Sequence, residues 1–215
     1  IAGGVVGAAG VLLQYRAFTV LDLSVVSPII AGAALVPVLW GVAIGERPSP
    51  WQLIGVVLTL VGIILISRRA SLPVARRRAD RNGILMAVGS AAALGLFLVA
   101  LDYGGDGDPY WTVTVARTTA LIALAFAALV SRPVVRLSRR ALPVLFVVGL
   151  LIAAANLLFT SATTMGYLSI VAVLGWLNPA VTIVWARALL HERLRPLQVV
   201  AAALVFAGIA CITLG

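Results

Sequence analysis

Ala17–Ile66 reads AFTVLDLSVVSPIIAGAALVPVLWGVAIGERPSPWQLIGVVLTLVGIILI, and Ala162–Ile212 reads ATTMGYLSIVAVLGWLNPAVTIVWARALLHERLRPLQVVAAALVFAGIACI. Leu23-Ser24 recurs as Leu168-Ser169, and Trp40 as Trp185, both 145 positions on. After one inserted residue, Glu46-Arg47 recurs as Glu192-Arg193, Pro50 as Pro196, Gln52 as Gln198 and Gly62 as Gly208. An apolar chain with an internal repeat of this kind is the sequence mark of a carrier built from two related halves.

The solvent of the chain follows from its composition. Hydrophobic residues make up 62% and charged residues 11%, against roughly 25% charged for a soluble domain. Apolar runs of roughly 17–25 residues, long enough to cross a bilayer as helix, recur between short polar breaks. The runs are continuous and do not alternate with period two, so they predict helices and not a barrel. A soluble globular fold is excluded. The net charge of +9 comes from 16 basic residues, all Arg. Most of them sit in the breaks between spans, where Arg sets orientation and touches lipid headgroups, so the charge does not point to nucleic acid. The absence of Lys suggests a GC-rich coding genome, and the expected location is a bacterial plasma membrane, crossed many times. Cys211 is the single cysteine, so no intrachain disulfide forms.

Eight spans are expected: Ile1–Ala17, Val25–Ile44, Pro50–Ile66, Gly83–Leu101, Tyr110–Val130, Ala141–Thr163, Leu168–Leu190 and Pro196–Leu214. Ser67–Asn82 and Ser131–Arg140 read as basic loops, and Asp102–Pro109 as a Gly-rich acidic loop. Matching the repeats aligns the second and third spans with the seventh and eighth, and the first with the sixth. The fourth and fifth spans then have no partner. The simplest completion is an all-α polytopic bundle of five plus five helices. The present chain would be a fragment of it that lacks the first two, on the order of 50–60 residues. Residues 1–67 belong to the first repeat, 68–82 to a basic linker and 83–215 to the second. An odd number of spans per half inverts the halves relative to one another, the architecture of many alternating-access carriers.

Gly45-Glu46-Arg47-Pro48-Ser49-Pro50-Trp51-Gln52 and His191-Glu192-Arg193-Leu194-Arg195-Pro196-Leu197-Gln198 resemble the ends of the two repeats of EamA-type transporters, of the drug/metabolite transporter superfamily. Leu177-Asn178-Pro179-Ala180-Val181-Thr182 resembles the proline-bearing stretch upstream. The resemblance implies ten helices and movement of small metabolites such as amino acids, nucleosides or drugs. His191 departs from the pattern by replacing Gly. The Arg-rich breaks at Arg68–Arg81 and Arg132–Arg140, with Arg16, Arg193 and Arg195, share one side. The positive-inside rule makes that side cytoplasmic and places Gly215 outside. The both-termini-inside topology that the resemblance implies places it inside.

Polar groups within spans are costly and need a partner or a cavity. Gln14 and Tyr15 on the first span, Asn156 on the sixth, and Trp176 and Asn178 ahead of the helix-breaking Pro179 are the candidate solute-binding residues. Each of these has a structural alternative, such as an interhelical hydrogen bond. Glu46-Arg47 and Glu192-Arg193 are candidate gate ion pairs or helix-end punctuation, and Trp40 and Trp185 candidate gate or interfacial-belt residues. Arg117 can meet an anionic solute or snorkel towards headgroups. Asp102, Asp106 and Asp108 fit a plain loop better than a metal site. No cofactor, metal or catalytic constellation is expected. Gly3-x-x-x-Gly7 and Gly41-x-x-x-Gly45 allow close packing, within the bundle or in a homodimer. The leading function is a secondary carrier of small organic solutes. The alternatives are a lipid-modifying membrane enzyme and a non-transporting scaffold. The expected partners are the solute and membrane lipid.

Overall fold

The computed structural model describes residues 1–21, 23–67, 81–131, 141–177, 181 and 196–214, and among these every regular element is helical. In chain order they are α1 (Ala2–Val20), α2 (Leu23–Ala31), a 3₁₀ turn (Gly32–Ala34), α3 (Leu35–Ala43), α4 (Pro50–Ser67), α5 (Arg81–Gly105), α6 (Pro109–Ser131), α7 (Leu142–Thr163), α8 (Leu168–Gly175) and α9 (Pro196–Leu214). Val25–Ala43, Arg81–Gly105, Pro109–Ser131 and Leu142–Thr163 are long and apolar enough to cross a membrane, and Pro50–Leu65 and Val199–Ile212 are shorter apolar helices.

What the helices expose agrees with a bilayer as solvent. The apolar window of α7 has no buried residue, and Phe146 and Leu158 are 73% and 71% exposed. In water such a surface would drive aggregation. In lipid it costs nothing, and helices satisfy their own backbone groups there.

Three expectations shift. The second span is one path broken in the middle. Pro37 has no N–H to give the Ala33 carbonyl, and the Leu35 N–H turns back to Ala33 and Gly32, which tightens the chain to 3₁₀. The fourth span runs on to Gly105, so Asp102 and Tyr103 are helical and not part of a loop. The seventh span is regular only over Leu168–Gly175, and 178–180 and 182–195 lie outside the described residues.

The turn after α3 shows why the Gly-Glu-Arg motif has its composition. Gly45 takes φ +97, a left-handed conformation that only glycine adopts freely. The Glu46 N–H then bonds the Gly41 carbonyl at 3.0 Å and the Gly45 N–H that of Val42 at 3.2 Å, the paired bonds of a Schellman C-cap. Four residues on, the Gln52 N–H donates to Ser49 Oγ at 3.2 Å and the Ser49 N–H to Gln52 Oε1 at 2.9 Å. This capping box opens α4, with Pro50 at the first helical position.

The most extensive helix contact is α4 against α9. A Cβ on Gly55 would meet the Gly208 carbonyl oxygen at 2.5 Å, and one on Gly62 would meet the Ala201 carbonyl oxygen at 2.8 Å. Gly55 and Ala201, like Gly62 and Gly208, are 146 positions apart. The contact is therefore reciprocal: each residue touches the counterpart of the other. Its order shows that the two helices run antiparallel, as a two-fold relation between inverted segments requires. The halves differ at α1 and α7. Gly4 is pressed against Ala116 and Thr119 of α6, whereas Gly149, 145 positions on, has nothing within 4 Å. Gly7 and Gly10 continue the seam of α1 along Phe97, Leu94 and Ala93 of α5, where Ser90 Oγ donates to the Gly10 carbonyl at 2.8 Å.

Candidate functional site

Trp176 is where the core converges. It packs against three separate clusters of buried residues: Ala31, Ile63, Ala201 and Val205; Ala17, Leu21, Val26, Ile30 and Ala87; and Ala34, Val56, Leu60, Val173 and Ile212. Those residues come from α1 and its C-cap, α2, the 3₁₀ turn, α4, α5, α8 and α9. The regular helix stops one residue earlier, at Gly175, and the Trp176 N–H closes it on Ala172. The indole Nε1 is buried and, among the described residues, has no hydrogen-bond partner, whereas indole N–H groups usually find one when they are buried.

Asn156 and Arg117 form a second polar centre. With the amide oriented so that Oδ1 faces the guanidinium, Asn156 accepts from Arg117 Nε at 2.9 Å and from Nη2. Nη2 also points to the Ile152 carbonyl at 3.5 Å. One turn along α7, Phe159 lies against Gly175: a Cβ there would be 3.3 Å from its ring. Phe159 itself packs with Leu101, Val113 and Ala116, a cluster separate from the three that Trp176 joins.

Gln14 is half-buried on α1, one turn before Ala17 and Phe18 in the cluster that Trp176 joins. Gly4 stands beside Ala116, and Gln14 is ten positions further on, about 15 Å along the helix axis. The structure therefore brings Arg117 to Asn156, and does not bring Gln14 to them. Tyr15 is 67% exposed and makes an edge contact with Phe18 at 6.4 Å. Asn178, Trp185, Glu192 and Arg193 lie outside the described residues.

Among the described residues no ion pair joins Glu46 to Arg47. The Glu46 carboxylate instead accepts from the Leu168 N–H at 2.6 Å and the Ser169 N–H at 3.2 Å, the first two free donors of α8. It lies over Gly41, where any Cβ would collide with it. Trp40 Nε1 donates to Tyr103 Oη at 3.3 Å, with the rings edge to face. Asp102 lies beside Thr163, with Asp106 and Glu46 near enough to repel it. Asp108 caps α6, its Oδ1 accepting from the N–H groups of Tyr110 and Trp111 at 2.8 and 3.1 Å. A cavity of about 270 Å³, lined by Gly3, Gly4, Ala100, Trp111, Thr112 and Val115 among others, lies beside α1 and α6 and contains none of the candidate residues.

Sequence reasoning singled out Arg117 and Asn156 separately. They are 39 positions apart on different spans, and no local pattern links them. Glu46 was set beside Arg47 because they are neighbours in sequence, yet its partner is the first turn of the repeat-matched Leu168-Ser169.

These observations define a multi-pass helical membrane protein with an apolar core in which helices from across the chain converge on Trp176. The chain belongs to the EamA-like transporter family, whose model matches residues 1–68 and 81–214. The family places it among the drug/metabolite transporters. No curated protein matches it. A solved structure described only as the crystal structure of a protein has the same fold: TM-score 0.79 at 18% identity, over 98% of this chain and 75% of that one.

Proposed function

We propose that the protein is a secondary transporter of small organic solutes in a bacterial plasma membrane, working by alternating access between its inverted halves, and that it is not an enzyme. The observation that carries this is the Trp176 indole, set at the junction of three clusters, with a buried Nε1 that no group among the described residues meets. A site at such a junction is exposed to one side or the other as the halves rock. The proposed solute-binding residues are Trp176, Asn156, Gln14 and Tyr15, with Asn178 ahead of Pro179. Trp40, Glu46 and Arg47 belong to the proposed gate region, as do their repeat counterparts Trp185, Glu192 and Arg193. The proposed partners are the solute and membrane lipid.

Solute flux into proteoliposomes tests the reading, with labelled amino acids, nucleosides and cationic dyes supplied with and without a pH gradient. Saturable flux that W176F or N156L weakens supports it. Folded, inserted protein that moves no solute saturably overturns it.

A further inference from the structure

Arg117 is eight positions after Pro109 in α6, about 12 Å along the axis, inside a span apolar enough to cross a membrane. A charge at that depth is costly, and it faces a partner or a cavity. The described carboxylates are Glu46, Asp102, Asp106 and Asp108, and none of them pairs with it. Its acceptors are the Asn156 amide oxygen and the Ile152 carbonyl, both neutral. They engage Nε and Nη2 only. Among the described residues no acceptor meets Nη1, so part of the five-donor fork is still free. The guanidinium is positioned, and among the described residues no carboxylate balances its charge.

A snorkelling Arg would run along its own helix towards the headgroups, here past Tyr110 and Trp111. Arg117 instead crosses to α7, where Asn156 is one turn from Phe159, and Phe159 lies against the residue before Trp176. Resting on the transport reading above, we infer that Arg117, aimed by Asn156 and Ile152, is the anion-recognising group of the solute path, and that the transported solute carries a carboxylate. The free Nη1 donors and the delocalised positive charge of Arg117 would meet a carboxylate with charge-assisted N–H bonds. A solute that brings the missing negative charge neutralises the site on binding, and that differential is what selects it.

The test is flux in proteoliposomes of wild-type protein, with L-amino acids and aliphatic or aromatic monocarboxylates each supplied beside its own amide. Saturable movement of acids, with flux of the matched amides lower by about tenfold or more, is the expected result, since leaving such a group unpaired costs at least about that factor. R117Q is expected to raise KM for the acid about tenfold and erase the preference, while R117K keeps the preference. Equal flux of acid and amide, or saturable flux of amines and cations alone, overturns the carboxylate assignment and leaves the transport reading standing. An R117Q protein that keeps the acid preference but melts earlier in phospholipid shows that Arg117 holds a lipid phosphate, and also overturns it. If R117Q fails to fold, the wild-type comparison of acids with amides decides alone. Folded protein that moves no solute saturably removes both readings together.

Discussion

The carboxylate of Glu46 caps the first turn of the helix that begins at Leu168, 122 positions away in sequence. The free N–H groups of a helix start carry partial positive charge, and an anion there is held by the dipole and by charge-assisted hydrogen bonds. The motif at the end of the first repeat therefore fastens the second repeat. Gly41 is required because the carboxylate lies over it, and Gly45 because the chain must turn left-handed to present it.

Removing that cap is expected to destabilise the fold by about 1–2 kcal/mol, the scale of a lost helix cap. E46A should show the full loss and E46Q, which keeps an acceptor without the charge, a smaller one. Thermal or denaturant unfolding in detergent reads both. No change in either variant would mean that Glu46 contributes nothing measurable to joining the halves.

G45A is expected to cost about 1–2 kcal/mol, since a side chain is strained at positive φ whatever the space around it, and Gly45 has open space. G41A adds a collision with the Glu46 carboxylate. Its effect should largely disappear in an E46A background, because the two residues are in contact. A double-mutant cycle on unfolding midpoints checks this, and additive losses would count against it.

The α4–α9 seam has no room for a side chain at Gly55 or Gly62. G55L and G62L should each destabilise by about 1–3 kcal/mol through overpacking. G149A, at a position with nothing within 4 Å, should be close to neutral. Comparing the folded yields and melting midpoints of the three separates seam from open face.

W176F removes the unpaired N–H and keeps most of the ring. It is expected to leave melting nearly unchanged and to raise KM for the transported solute. W176A opens a cavity among three clusters and should cost about 3–5 kcal/mol. Equal KM in wild-type and W176F protein would remove the indole N–H from solute recognition.

Ser49 and Gln52 cap each other at the start of α4, so S49A should cost about 0.5–2 kcal/mol, as judged by the melting midpoint.

Apolar length settled a great deal from the sequence alone: helices as the regular element of the described residues and a bilayer as their solvent. These properties are legible because each depends on local composition or on period. The positions of the helix ends were partly legible. Ser49-Pro50, the Gly45 turn and the Pro37 break over Gly32–Ala34 follow local rules, whereas the extension of α5 through Asp102 goes with contacts such as Trp40 to Tyr103 and Thr112 to Gly104. Partners across the fold were not legible. Glu46 with Leu168, Arg117 with Asn156, and Trp176 with three clusters are contacts between residues far apart in the chain. Only tertiary structure decided them, because hydrogen bonds and burial depend on distance in space, and the sequence orders residues along a line.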